Sequence, residues 1–310
     1  MAASKNLDPT FRHYSTDQAA KYAQNRDGHP QLLYDTIIKY HTETGGQLDT
    51  VLDLGCGPGN ATRDLARYFD HAYGADAGAE MIGQAQNLGG KTRAGNDIEY
   101  RVAAAEDVGE AQGIKSGSVD MITVAMAAHW FRMNDFWPNA KKLLKVGGTV
   151  AIWTRASYYV HPETPHFEEL QRLFSHLEDN VLVPYEEPGN KLSRGMYNDL
   201  TLPWQVHPPV AGFSEAEENF KRVEWNKDGK VEPGKDFLGG GAFTPGQIER
   251  ALGTASMVTR WREANPEVAN TENDPVKLMA SKVIKIMGSA EVKIKTGAST
   301  ALLLLKRIGD

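Results

Sequence analysis

Residues 50–69 carry the tightest constraint on how this chain can fold. Thr50-Val51-Leu52 is an apolar run that reads as a short buried strand, and Ala61 to Phe69 places apolar residues at helical spacing. Between them lies Asp53-Leu54-Gly55-Cys56-Gly57-Pro58-Gly59-Asn60. A strand that enters a helix through three glycines allows positive φ and close approach of a ligand to the backbone, and the N–H groups at the helix start favour a negative or polar group. The expectation is a nucleotide cradle within an α/β fold. A purely structural turn between strand and helix is short and needs fewer glycines.

The spacing Gly55-x-Gly57-x-Gly59 departs from the G-x-G-x-x-G of dinucleotide sites. An acid at Asp53, just ahead of the first glycine, would repel a pyrophosphate and would favour a ligand carrying a cation. His71 to Asp76 reads as a second strand ending in an acid. It lies about 20 residues past the glycines, where nucleotide-binding βαβ units place the ligand of the ribose diol. A solvated strand-end acid is the alternative for Asp76. Cys56 is the only cysteine, so it reads as a small buried residue of the turn, and neither an intrachain disulfide nor a thiolate metal cluster is available. No metal site is expected.

Ahead of the turn, Ser15-Thr16-Asp17-Gln18 fits a capping box that opens a helix toward Arg26, and Pro30 starts a second helix closed by Gly45-Gly46. Tyr14, Tyr22 and Arg26 are placed to close over a ligand. Beyond Asp76 the pattern predicts a helix over 78–87, a strand over 98–104, a buried strand over 118–126, a helix over 134–145 with Asn134 as candidate cap, and a strand over 149–153. Strands alternating with helices imply a doubly wound, mostly parallel sheet whose ligands sit at the carboxyl ends of the strands. Asp53, Asp76, Ala105, Glu106, Met126, His129 and Trp153 all fall near such ends. From Arg155 to about Pro266 the alternation stops amid prolines and glycines, which predicts a lid over the strand ends. Most of its aromatic and basic residues read as packing or surface groups. At the end, 291–296 and 299–306 read as a β-hairpin turning at Gly297.

With 41% hydrophobic and 24% charged residues in 310, the chain can bury a sizeable core. A net charge of −6 argues against a broad nucleic-acid footprint, which needs phosphate-neutralising basic patches. Residues 1–8 lack the pattern of a secretory signal, and no apolar run approaches the roughly 20 residues of a membrane span. The expected location is cytoplasmic, with no membrane or nucleic-acid partner; oligomeric state is not readable.

The D-x-G-x-G-x-G run resembles motif I of the class I S-adenosylmethionine-dependent methyltransferases, whose cofactor carries an ammonium and a sulfonium and no phosphate. The resemblance extends over residues 14–155 and the terminal strands. Asp120-Met121-Ile122-Thr123, Ala128-His129-Trp130-Phe131 and Ile152-Trp153 are similar to the trans-aconitate methyltransferase-like branch. It implies a seven-stranded Rossmann-like sheet with four units: cofactor-covering helices over 1–46, a core over 47–155, a substrate lid over 156–266, and a C-terminal helix and hairpin over 267–310 that complete the core sheet. It also implies that Gly55, Gly57 and Gly59 cradle the methionine part of the cofactor, with Asp53 and Met126 beside it. Asp76 holds the ribose, and Ala105 and Glu106 border the adenine. Tyr22 and Arg26 match a Tyr-x-x-x-Arg pattern near the cofactor carboxylate, although Asp27 stands where that pattern usually has proline.

His129 and Trp130 would face the reactive methyl, with a packed strand-end histidine as the alternative. Tyr14, Trp153, Arg155, Tyr185, Arg194 and Trp261 are the candidate substrate ligands. The expected reaction is O-methylation of a small organic acid, in particular a di- or tricarboxylic acid. Alternatives are O- or C-methylation of a phenol or enol, a pericyclase-like or binding protein that does not transfer methyl groups, and a nicotinamide-dependent oxidoreductase, which the glycine spacing disfavours.

Overall fold

Two helices precede the first strand in the computed structural model, which describes residues 15–25 and 28–309. Helix α1 (Thr16–Asn25) opens on the expected capping residues: Ser15 N–H donates to Gln18 Oε1 at 2.8 Å and Gln18 N–H returns a bond to Ser15 Oγ. Helix α2 (Gln31–Glu43) starts after Pro30 and buries Leu33 and Ile37 completely, each contributing about 1.5–3 kcal/mol. The core then alternates: β1 (Thr50–Leu54), α3 (Asn60–Ala66), β2 (His71–Asp76), α4 (Ala79–Leu88), β3 (Glu99–Val102), β4 (Val119–Ala125), α5 (Met133–Leu143) and β5 (Leu144–Val160). The lid stretch supplies α6 (Phe167–His176), α7 (Pro188–Arg194), β6 (Phe220–Trp225), β7 (Gly241–Phe243), α8 (Pro245–Leu252) and α9 (Ser256–Ala264). Helix α10 (Pro275–Met287) and β8 (Ile294–Lys306) complete the chain.

The sheet order is β3-β2-β1-β4-β5-β8-β6, with the short β7 also on β8. The first five strands are parallel, and β8 runs antiparallel to both β5 and β6. This is the doubly wound, Rossmann-like sheet that the sequence implies, with seven strands along the path plus one short strand. The central strands β1, β4, β5 and β8 are buried on both faces, so each reads as a largely continuous apolar run. Val51, Met121, Ala151 and Leu304 point to one face, packing with α2 and α3; Leu52, Ile122, Ile152 and Leu303 point to the other, with Phe136 and Trp137 of α5.

Four expectations need correction. Residues 294–306 form one strand rather than a hairpin: Gly297 lies inside it, opposite Tyr159, where a side chain would strike Phe237, whose Cβ is 2.5 Å and whose ring is 2.7 Å from the position of the added Cβ. The antiparallel partner beyond β8 is β6, from the stretch that reads as irregular. Helix α5 starts one residue before Asn134 and has no side-chain cap at Arg132. Helix α10 packs Val276, Met279 and Val283 against Leu170 and Phe174 of α6 and Ile248 of α8, so it joins the lid rather than the core flank.

Strand β5 does not stop at Trp153. It continues to Val160, paired with β8 almost throughout, so the two strands carry the core sheet up into the lid. The pairing slips once: Arg155 faces Thr300 and Tyr158 faces Ala298, three steps on β5 against two on β8. That is a β-bulge. In an unbroken strand, residues three apart point to opposite faces; the extra residue turns Arg155 and Tyr158 to the same side.

Candidate active site

Strand order reverses between β1 and β4, and ligands of doubly wound sheets bind in the crevice that such a reversal leaves at the carboxyl strand ends. A cleft of about 290 Å³ occupies that position. A wider depression of about 430 Å³ between α1 and α9 touches no strand end. The glycine turn forms one wall of the cleft. At Gly57, with φ +52°, a Cβ would meet nothing within 4 Å, so the turn is open to a ligand there. Gly59, with φ +80°, has the opposite role: its Cβ position lies 2.5 Å from the Tyr100 hydroxyl, and it packs the helix start onto β3. Asp76 closes the turn. Its Oδ2 accepts the Gly57 N–H at 2.9 Å and its Oδ1 the Gly78 N–H at 2.7 Å.

The opposite wall comes from β4 and β5. Met126 follows β4 with φ +58°, a conformation uncommon for a residue with a side chain, held by its N–H on Trp153 O at 3.0 Å and by the Arg155 N–H on its sulfur at 2.9 Å. Next comes His129, half-buried, with Nδ1 2.7 Å from the Tyr197 hydroxyl and its ring 4.5 Å from that of Trp130. Partial desolvation by the protein around it pulls its pKa down to about 3, so it is neutral at physiological pH. Gly189 at the start of α7 lies against Trp130, where a side chain would not fit. Glu106 accepts the Arg132 N–H at 2.6 Å, which ties the β3 end to the start of α5. Arg155 reaches the cleft from the bulge, with Nη2 donating to Gly239 O at 2.7 Å; it is the one arginine or lysine on the cleft wall among the described residues.

The methyltransferase domain family matches residues 52–152, the span that holds the glycine turn, Asp76 and His129. A Saccharomyces cerevisiae protein named as a probable S-adenosylmethionine-dependent methyltransferase, CRG1, is 26% identical over 263 residues, which is 80% of this chain and 82% of that one. Residues 52–152 carry a methyltransferase domain, and these matches support a class I S-adenosylmethionine-dependent methyltransferase. A Dictyostelium discoideum protein named as a methyltransferase is 38% identical over 133 residues, 43% of this chain and 45% of its own length. A solved structure from Anaeromyxobacter dehalogenans, whose name places it among type II methyltransferases, has the same fold. Its TM-score is 0.64 at 23% identity, over 92% of this chain and 99% of that one.

S-adenosylmethionine is therefore the cofactor of this methyltransferase, and the open turn at Gly57 with an acid at the next strand end fits it. Among the described residues, no helix is long and apolar enough to cross a membrane.

Of the residues singled out in the sequence, Tyr22, Gly55, Gly57, Asp76, Ala105, Glu106, Met126, His129, Trp130 and Arg155 line this one cleft. Tyr14 and Arg26 lie outside the described residues. The others lie elsewhere. Asp53 is wholly buried beneath the turn, where Thr62 and Thr123 hydroxyls donate to its two oxygens at 2.6 and 2.8 Å; burial outweighs those bonds and pushes it up to about 6. Trp153 is also fully buried, its indole N–H directed at the His29 ring, so His29 faces the cleft and the tryptophan backs it. Arg194 is spent on Glu178, Glu186 and Asp179. Tyr185 accepts from Arg260 and Asn265, and Trp261 packs in the lid core. Sequence reasoning missed His29, whose one signal is its place before Pro30 at the α2 start, and left Tyr158 unassigned because nothing in the sequence marks the bulge.

Proposed function

We propose that this methyltransferase converts a carboxylic acid of a small organic molecule into its methyl ester. The observation that carries this reading is the pairing on one cleft wall of an arginine, Arg155, with a histidine that is held neutral and too weakly basic to accept a proton. When bound, the cofactor supplies a methyl group on a cationic sulfur, which leaves with the bonding electron pair as the acid oxygen forms the new bond. A carboxylate, with pKa near about 4, is already ionised at neutral pH and needs no base. A phenol near pKa ~10 would have to lose its proton to an imidazole whose basicity desolvation has lowered, a strongly uphill transfer. Arg155 suits an acid because a guanidinium pairs with a carboxylate through two parallel N–H bonds.

The other roles follow from position. Gly55, Gly57, Met126 and Tyr22 hold the amino-acid part of the cofactor, Asp76 the ribose hydroxyls, and Ala105 with Glu106 the base. His129 and Trp130 shape the wall beside the reacting atoms, and Tyr197 fixes the imidazole. The lid helices exclude water, and orientation together with that exclusion can supply roughly 7–11 kcal/mol of the barrier.

The test is transfer of an isotopically labelled methyl group to a panel of organic acids. The expected product is a methyl ester cleaved by alkali, formed at a substrate-saturated rate that is flat from about pH 6 to 8. An alkali-stable product, or a rising limb in that range that disappears in His129→Ala, overturns the carboxylate assignment.

A further inference from the structure

Two residues just past α7 adopt a conformation that side chains seldom take: Met196 has φ +55° and Tyr197 has φ +59°. A glycine stands one position earlier, yet Gly195 has φ −73°, so the left-handed turn falls on two residues that carry side chains. Their surroundings hold them there. Tyr197 N–H donates back to Leu192 O at 2.9 Å, and Arg222 of β6 donates through Nη2 to Met196 O at 2.7 Å and to Asn198 Oδ1 at 2.9 Å. Glu224 fixes that arginine by accepting from its Nε. Backbone strain persists only where the surroundings over-determine it, and it clusters at functional sites. What this turn delivers is the Tyr197 ring, 2% exposed, with its hydroxyl 2.7 Å from His129 Nδ1.

The neighbours of the phenol set the direction of that bond. The Thr154 hydroxyl and the N–H groups of Ala128 and His129 face the phenol oxygen as donors, and Thr154 itself meets Ser193 at 2.7 Å. An oxygen met by donors keeps its own proton for the acceptor beside it, so the phenol donates and Nδ1 accepts. A neutral imidazole carries one N–H, which is then on Nε2. Nε2 has no hydrogen-bond partner among the described residues and stays accessible, on a ring that lines the cleft.

We propose that His129 serves the cleft as a hydrogen-bond donor, presenting Nε2–H to an oxygen of the substrate, and that Tyr197 is the positioning residue that keeps the proton there. A base would need the opposite arrangement, a bare Nε2 with the proton on Nδ1. The donor role rests on the carboxyl reading given above only for the identity of that oxygen: an acid meets N–H donors from both Arg155 and His129.

The test is nitrogen-15 NMR of the full chain with labelled histidine, saturated with S-adenosylhomocysteine. The chain has nine histidines, so His129 is assigned by its loss in His129→Gln. At about pH 7 the wild type should show a single neutral form of His129, protonated at Nε2 and bare at Nδ1. Tyr197→Phe keeps the ring and removes the donor; it should convert that form into a tautomer mixture or the Nδ1–H form, with cofactor affinity unchanged. Formate and benzoate, added as carboxylate probes, should shift the Nε2 signal of the wild type, and the benzoate affinity read from that shift should fall severalfold in Tyr197→Phe. A wild-type His129 protonated at Nδ1, a tautomer that Tyr197→Phe leaves unchanged, or an Nε2 signal that neither carboxylate moves overturns the proposal. An Nε2–H form that responds to carboxylates, in an enzyme whose methylated product resists alkali, keeps the donor and sinks the carboxyl-methylation reading. An alkali-cleaved ester made by an enzyme with the Nδ1–H form does the reverse.

Discussion

Asp53 shows how one side chain can be correctly noticed and wrongly placed. An acid ahead of the glycines is visible in the sequence, yet which way it points is set by strand alternation: Asp53 shares its face with buried Val51, not with the cleft. Its burial has a measurable consequence. Unfolded, an aspartate titrates near about 4; folded, Asp53 keeps its proton to about 6. Between those values the folded chain binds more protons than the unfolded one, so stability falls as pH rises through that window and stays lower above it, by roughly 3 kcal/mol. Asp53→Asn keeps hydrogen-bonding atoms for Thr62 and Thr123 and removes the charge. Denaturant unfolding at pH 4 and pH 7 should show a loss with rising pH in the wild type and little in the variant; parallel behaviour would mean the carboxylate is not desolvated.

Asp76 behaves as its place at a strand end suggests, because both the strand and the distance from the glycines are local features of the chain. Asp76→Ala should weaken cofactor binding by about 1.5–3 kcal/mol, read by calorimetry, while the melting transition stays within a degree or two. Unchanged affinity would remove it from the site.

At the scale of elements, local pattern reads well and partnership reads poorly. Helices α1 and α2 and strands β1 to β4 are legible because caps, glycines and apolar period all lie within them. The identity of the strand beyond β8 is not, since Phe220–Trp225 is half-exposed and carries Lys, Arg and Glu, and a glycine inside β8 imitates a turn. Likewise α10 has clear helical signals but nothing to say which cluster takes its apolar face. Its start is fixed by Asp274, which caps Val276 N–H at 3.1 Å, accepts the Asn270 N–H at 3.0 Å and pairs with Arg262 at 2.6 Å. Burial raises its pKa, but those partners outweigh it and hold it below the usual range. The stability it contributes is therefore present above the unfolded value near about 4 and lost as pH falls below it. Asp274→Ala leaves a half-buried arginine without its partner and removes the cap, and should cost about 3–5 kcal/mol. Hydrogen exchange should quicken in α6, α8 and α10 while the amides of β1 and β4 keep their protection. Loss of protection across the whole sheet would show that lid and core unfold as one.

Across the whole molecule, the core is legible because it repeats one unit, whereas the walls of a second cavity beside the cleft come from positions 155, 158, 174, 250 and 297, joined only by the three-dimensional path of the chain. The one-residue slip in β5 also sets a rule of parity. Everything beyond it on that strand faces as it does because the count of residues to the core is odd where the partner's is even. Removing Ser157 takes out the extra residue and leaves Arg155 and Tyr158 two apart on an unbroken strand, so both should keep their side, and cofactor binding and methyl transfer should both be retained. Loss of turnover in that deletion would contradict it. Lids borrowed from relatives are therefore interchangeable on this core when their strand keeps pace with β8, however many residues it loops out on the way.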